Sequence, residues 1–503
     1  MPNRRDLLTL ALAPAVSPAF LRHAQAADLP RFALGIASGQ PHAGGMVLWT
    51  RLSGDNLPPQ VDVAWELAHD EAFTRIAARG RESAVAADAH SVHAEPAGLE
   101  PGRWYWYRFS ALGQRSAAGR TRTAPAPDAS TRLDFAIASC QRWDSGHYAA
   151  WRHAAAEPLD LVLFLGDYIY EYASLPAALR LHDGPPVRTL DQYRARYAQY
   201  KSDPALQAAH AACPWLVIAD DHEVENDYAG TQSQTLQWGF ESQRAAAYRA
   251  WWEHMPLPKA ARPVDGALRM FGRLDWGRLA RFHLLDDRQH RDPQACAKPG
   301  RGGSNTVRVK GCPELLDPKR SLLGAAQERW LAEGWDLQRP WNLLAQQTLM
   351  ARFSDEDPAG GGGTAWTDGW DGYPLARQRL LSAVAERHVR GAVVLGGDVH
   401  ANYVADLKLD FADAKAPVIA SEFCGTSISS LGRDQARVQA ALPFNPHIHL
   451  GRSDRRGYVR FSLDDKQLLA QLRTVDDARD PASALQTQAR FVVEAGRPGP
   501  QAA

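Results

Sequence analysis

The segment Pro158 to Tyr170, PLDLVLFLGDYIY, constrains this chain more than any other. Its run Leu161 to Leu165 is continuously apolar, the pattern of a strand covered on both faces, and Gly166 ends it. Such a strand implies a parallel sheet with further layers on either side, and open α/β sheets bind ligands beyond the carboxyl ends of their strands. Asp167 and Tyr170 stand at that end, where a carboxylate and a phenol are candidate metal ligands. An Asp there also serves as a turn former or helix cap.

Three more apolar runs end the same way. Leu133 to Ser139 runs into Cys140, Pro214 to Ala219 runs into Asp220, Asp221, His222 and Glu223, and Ala392 to Gly397 runs into Asp398, Val399 and His400. Hard carboxylate and phenol oxygens beside a thiolate and an imidazole suit two different cations better than one, so a two-metal site is expected.

These stretches, Ser139-Cys140-Gln141, GDYIY at Gly166 to Tyr170, DDHEVEN at Asp220 to Asn226, LDDRQHR at Leu285 to Arg291 and GGDVH at Gly396 to His400, occur in an order that resembles the PhoD-like alkaline phosphatases. That family sits within the metallophosphoesterases, with the purple acid phosphatases. The resemblance implies an α/β catalytic domain, a two-sheet sandwich flanked by helices, at 131–478. It implies hydrolysis of phosphate mono- or diesters by a metal-activated water at a binuclear centre of ferric iron (Fe3+) and calcium (Ca2+). Cys140 takes a position that is Asp in most metallophosphoesterases; with Tyr170 and His400 it would hold the iron, the alternative being a buried structural thiol. Asp167 would bridge. Asp221 and Asp398 replace the Asn and His of many relatives and would enrich the second site in the anionic oxygen that calcium favours. Asn226, Gln346 and Gln347 are additional candidates, with the choice between the two glutamines open. His222 matches the catalytic histidine, Glu223 is a candidate to orient it, and Arg288 would hold a phosphate oxygen or else pair with Asp286 or Asp287. A phospholipase D-like phosphodiesterase and a non-catalytic exported binding protein are the alternatives.

Arg4-Arg5, the apolar Leu7 to Val16 and a small-residue run ending at Ala26 read as a twin-arginine export signal at 1–26, which places the mature protein in the periplasm or outside the cell and makes the export machinery a partner. The apolar part is too short to span a bilayer. At 503 residues the chain exceeds one typical core. Short alternating, aromatic-rich runs such as Trp104 to Phe109 predict a small all-β sandwich at 30–124, before a Pro-rich linker at Ala124 to Ser130. Residues 479–503 read as a C-terminal tail. Lys plus Arg, 57, equals Asp plus Glu, 57, so nothing calls for a nucleic acid or anionic membrane partner; small-molecule or cell-envelope phosphate esters and a monomer are expected. Cys296 and Cys312 share a Gly-, Arg- and Lys-rich loop, and an oxidising compartment permits a disulfide between them. The long stretches Asp292 to Pro318 and Ser354 to Pro374 read as lids or surface loops, with Trp366, Trp370 and Tyr373 favouring a lid near the site.

Overall fold

The apolar runs pair with one another. In the computed structural model, which describes residues 30–360 and 362–503, Leu133–Ala138, Leu161–Phe164 and Trp215–Val217 lie side by side and parallel, and every residue of Leu161–Phe164 is buried. They form the middle of a ten-stranded sheet. A second sheet of seven strands carries Ala280–Leu284, Trp341–Ala345, Ala392–Gly396 and Val418–Cys424 in parallel. The two sheets pack face to face: Phe135 meets Phe282 edge-on at 5.6 Å and Phe461 meets Phe423 at 5.4 Å. This is the two-sheet α/β sandwich expected, with helices such as Ala149–Ala156, Phe240–His254 and Pro374–Glu386 outside it. The stretch from 190 to 212 holds two helices. Leu190–Lys201 starts on a Thr189–Gln192 capping box, and Asp203 caps a new helix, Pro204–Ala212, whose proline supplies no N–H to continue the first.

The N-terminal region departs from a self-contained unit. Gln60–Ala68, Ile76–Val85, Trp104–Ala111, Gln114–Arg115 and Gly119–Arg122 form a separate antiparallel sheet. Ile36–His42, Gly45–Arg51 and Ser91–Ala94 instead extend the ten-stranded sheet, through the parallel pairing of Gly39 with Trp215. The sandwich at 30–124 thus borrows its second layer from the catalytic sheet, and Ile36, Leu48, Val63, Tyr107 and Phe109 share one core between them. The tail assignment for 479–503 is likewise corrected: Leu485–Glu494 and Arg497–Ala502 are the last two strands of the large sheet. Pro498 and Pro500 are tolerated because that strand is an edge. The export signal at 1–26 lies outside the described residues. Among the described residues no helix is long and apolar enough to cross a membrane.

One buried charge stands out in this scaffold. Lys201, 2% exposed, sits over Trp49 at 4.2 Å and Tyr168 at 5.2 Å, with no acidic partner among the described residues, and burial pushes its amine down to about 7. The unfolded chain therefore holds more protons than the folded one between about pH 7 and the ordinary lysine value. Stability should rise with pH across that window, by up to about 1.4 kcal/mol per unit. Lys201→Met is expected to raise stability at pH 7 and flatten the rise toward pH 10 in urea unfolding; an unchanged slope would place the amine in water.

Candidate metal centre

The parallel strands of both sheets deliver their tips to one end of the sandwich. Cys140, Asp167 and Asp220 to Glu223 arrive from the large sheet, and Asp286 to Arg288, Gln346-Gln347 and Asp398 to His400 from the small one. Two close approaches lock the tips together. A Cβ on Gly166, which has φ 109°, would lie 2.3 Å from Asp220 Cβ, and one on Gly397 would lie 2.4 Å from Ser139 Oγ, so only glycine fits at either place. Cys140, Asp167, Asp398 and His400 all hold left-handed backbone, with φ of 59°, 59°, 63° and 54°. Non-glycine residues there cost on the order of 1 kcal/mol or more each, a strain that clusters at functional sites.

Donor atoms converge in two adjoining groups. Cys140, Asp167 and His400 offer ligand atoms within 4.8 Å of one another, as do Asp167, Asp220, Asp221 and Asp398, and Asp167 belongs to both. Tyr170 joins the first group: its hydroxyl donates to Asp167 Oδ2 at 2.9 Å and lies 3.2 Å from His400 Nε2. Ser430 Oγ, not singled out in the sequence, sits 2.8 Å from that hydroxyl and donates to the Cys140 carbonyl. His400 Nδ1 donates to the Leu431 carbonyl oxygen at 2.7 Å, which leaves the Nε2 lone pair for a ligand role, and burial brings its pKa down to about 4.

The residues fit metal ions. Asp167 Oδ1, Asp398 Oδ2 and Gln347 Oε1 are buried acceptors with no hydrogen-bond partner among the described residues. Burial pushes Asp167 far above the usual carboxylate range against the pull of His222, with repulsion from Asp221, Glu223 and Asp398 adding to it; burial pushes Asp398 up to about 7 despite Arg288. Carboxylates crowded out of water need cations to ionise together. Hydrogen bonding distinguishes the two glutamines. Gln346 Oε1 already accepts from Thr348 N–H and Trp370 Nε1–H, both at 3.1 Å, whereas Gln347 spends only its amide hydrogens, on the Ala219 and Leu285 carbonyls. Asn226 lines the same cavity, its backbone N–H donating to Glu171.

Two expectations are corrected. Glu223 does not orient His222; it is wholly buried and accepts from the backbone N–H groups of Asp167, Tyr168 and Asp220, stitching two strand tips together. Glu171 orients the imidazole instead, its Oε2 accepting from His222 Nδ1 at 2.7 Å. Its place one residue after GDYIY was the available signal. Burial, the largest influence, would lower the pKa of His222, but Glu171, Asp167 and Asp221 together raise it well above the ordinary value. Arg288 does not reach the cavity. Only 1% exposed, it is bound to Asp220 at 2.5 Å and Asp368 at 2.6 Å, with Asp221 at 3.7 Å and Asp398 at 4.0 Å, so its fork is spent on carboxylates under the site.

Above the centre opens a cavity of about 510 Å³, lined by Asp167, Asp221, His222, Asp398 and His400 and by lid residues from both irregular stretches. Thr306–Arg308 pairs with Thr364–Trp366 to join those stretches, and a Cys296–Cys312 disulfide closes the first.

The chain matches the model for the PhoD-like phosphatase over residues 135–472 and that for the PhoD-like phosphatase N-terminal domain over 15–125. The chain belongs to the PhoD-like phosphatase family. Alkaline phosphatase D of Bacillus subtilis (strain 168) is 41% identical over 487 residues, covering 93% of this chain and 82% of that protein. A solved structure of PhoD superposes with a TM-score of 0.89 at 40% identity, covering 95% of this chain and 92% of the other. A purple acid phosphatase from yellow lupin (Lupinus luteus) seeds shares the fold, with a TM-score of 0.55 at 13% identity over 91% of this chain and 74% of its own. As a PhoD-like phosphatase, the chain is a metal-dependent phosphoric ester hydrolase.

Proposed function

We propose that the protein is an exported phosphomonoesterase and phosphodiesterase with an iron–calcium centre. The observation that carries this reading is Asp167, shared between a thiol–phenol–imidazole group and a carboxylate group, with a Glu171-bound histidine at its edge. Cys140, Tyr170 and His400 would hold ferric iron, since thiolate, phenolate and imidazole suit a redox-capable transition metal. Asp221 and Asp398, with Asn226 and Gln347, would hold calcium, which takes six to eight oxygens, and Asp167 would serve both. When bound, the cations neutralise phosphoryl charge and make a water nucleophilic near neutral pH.

The chain's own groups do the rest. His222, on the cavity wall with Nδ1 tied to Glu171, presents its other nitrogen to the ester and gives a proton to the departing alkoxide. Glu171 holds the ring in place and stabilises its cationic form. The lid around Trp366 and Trp370 narrows access for bulk water. Periplasmic or secreted location is proposed from the twin arginines at 4–5 and is consistent with the Cys296–Cys312 bridge.

The test is metal analysis of protein recovered from the periplasmic fraction, run beside p-nitrophenyl phosphate and bis-p-nitrophenyl phosphate with and without chelator. Iron and calcium near one or more per chain, a visible phenolate-to-iron band and chelator-sensitive hydrolysis of both esters are expected. Tyr170→Phe should weaken or shift the band, and Asp398→Ala should spare it while lowering calcium and turnover together. A colourless, fully active enzyme holding only zinc would overturn the assignment, and recovery of the protein solely from cytoplasm would overturn the export reading.

A further inference from the structure

We propose that the cavity includes an anion subsite at Arg437, so that the preferred substrates are phosphate esters whose alcohol carries a second anionic group. This rests on the phosphate-ester reading above. A cavity of about 510 Å³ gives far more room than one phosphoryl group occupies and falls in the range of sites that enclose whole organic ligands. Its wall carries the acidic metal-centre residues in one part and Arg433 and Arg437 in another.

Both arginines are tethered to the centre through the chain. The segment leaving Val418–Cys424 places Ser430 beside the Tyr170 hydroxyl and the Leu431 carbonyl against His400 Nδ1, then reaches Arg433 and the helix Gln435–Ala441 that bears Arg437. The charges on this part of the wall are not equivalent. Asp355 is paired with Arg433 at 2.5 Å and Asp371 with Arg377 at 2.6 Å, whereas Asp227, grouped with Asp221 and Asp368 on the metal-centre side, accepts from Ser304 and Gln234. The Arg437 guanidinium is exposed and has no ion pair among the described residues, and the Asp434 cap accepts from its backbone N–H rather than from its side chain. It is thus the arginine on the wall whose donors are left to solvent and free to take an anion. A guanidinium offers paired N–H donors that match a phosphate or carboxylate. Phe353, Trp366 and Tyr403 line the same cavity and give the carbon skeleton joining the two anions an apolar surface.

The experiment compares kcat/KM for 1,4-butanediol and 1,6-hexanediol bisphosphate with butyl and hexyl phosphate, in wild-type holoenzyme and in Arg437→Ala, Arg437→Lys and Arg437→Glu. Comparing ratios within each variant cancels general damage. Wild type should favour the better-fitting bisphosphate by about tenfold, chiefly through KM, as expected for one charge-assisted contact and beyond the twofold advantage of two scissile ends. Arg437→Ala should bring the ratio to about that statistical twofold, Arg437→Glu should push it below one, and Arg437→Lys should retain part of it. A wild-type ratio no greater than the statistical one at either length, or a preference that survives Arg437→Ala, would overturn the subsite while leaving the phosphatase reading intact. Failure to cleave any of the four esters would overturn both.

Discussion

His222→Ala is expected to lower kcat by roughly a hundred- to ten-thousand-fold, the range for removing a positioned general acid, with metal content unchanged. The loss should depend on the leaving group. p-Nitrophenolate departs with little protonation, whereas an alkoxide needs a proton as the bond to phosphorus breaks, so alkyl phosphates should suffer most. The structure supplies what an acid requires: the ring lies on the cavity wall, Glu171 fixes Nδ1 at 2.7 Å, and the surrounding carboxylates favour the protonated form against the effect of burial. Glu171→Gln should give a smaller loss of the same leaving-group pattern, because the imidazole stays but its cation loses a charged partner. Equal losses for aryl and alkyl esters in His222→Ala would assign the histidine to substrate binding or folding instead.

Arg288→Met should destabilise the protein by about 3–5 kcal/mol, the cost of leaving buried carboxylates without their cation, read as a lower urea midpoint in the metal-loaded enzyme. Arg288 is ringed by Asp220, Asp368, Asp221 and Asp398, and Asp368 is also held by Arg291 at 3.3 Å and by Gln294 at 2.7 Å. The side chain therefore ties a large-sheet tip, a small-sheet tip and the lid into one charged cluster. Arg288→Lys keeps the charge but not the fork and should recover only part of the stability. A variant of normal stability with a raised KM for phosphate esters would return Arg288 to the substrate-binding role first expected of it.

Much of the centre was legible in the one-dimensional chain because its code is local. A continuous apolar run followed by Gly-Asp, Ser-Cys or Asp-Val-His says where a covered strand stops and which side chain appears there, whatever the neighbouring strands are. Tyr170 was readable for the same reason, three residues past Asp167. The partners that tune those groups were not. Glu171 and Glu223 are both acids near a motif, and nothing local says which of them faces the His222 ring and which caps the backbone of a neighbouring loop. Gln346 and Gln347 are adjacent amides separated only by which face of the strand end each takes. Arg288 reads as a phosphate binder until Asp368, 80 residues away, is brought against it.

The same division runs through the scaffold. The sequence alone determined that the protein has covered parallel strands with ligand-bearing tips, because burial on both faces leaves a compositional mark on each strand independently; their division between two sheets was implied by the family resemblance. Only the tertiary structure decided that Ile36–His42 joins the catalytic sheet, since a pairing such as Gly39 with Trp215 is a backbone contact that selects no particular side chain. It also decided that residues 485–502 are strands. Arg497–Ala502 is an edge that hydrogen-bonds on one side and tolerates Pro498 and Pro500, while Leu485–Glu494, paired on both sides, leaves most of its side chains unburied, so neither carries the apolar pattern by which a covered strand is recognised.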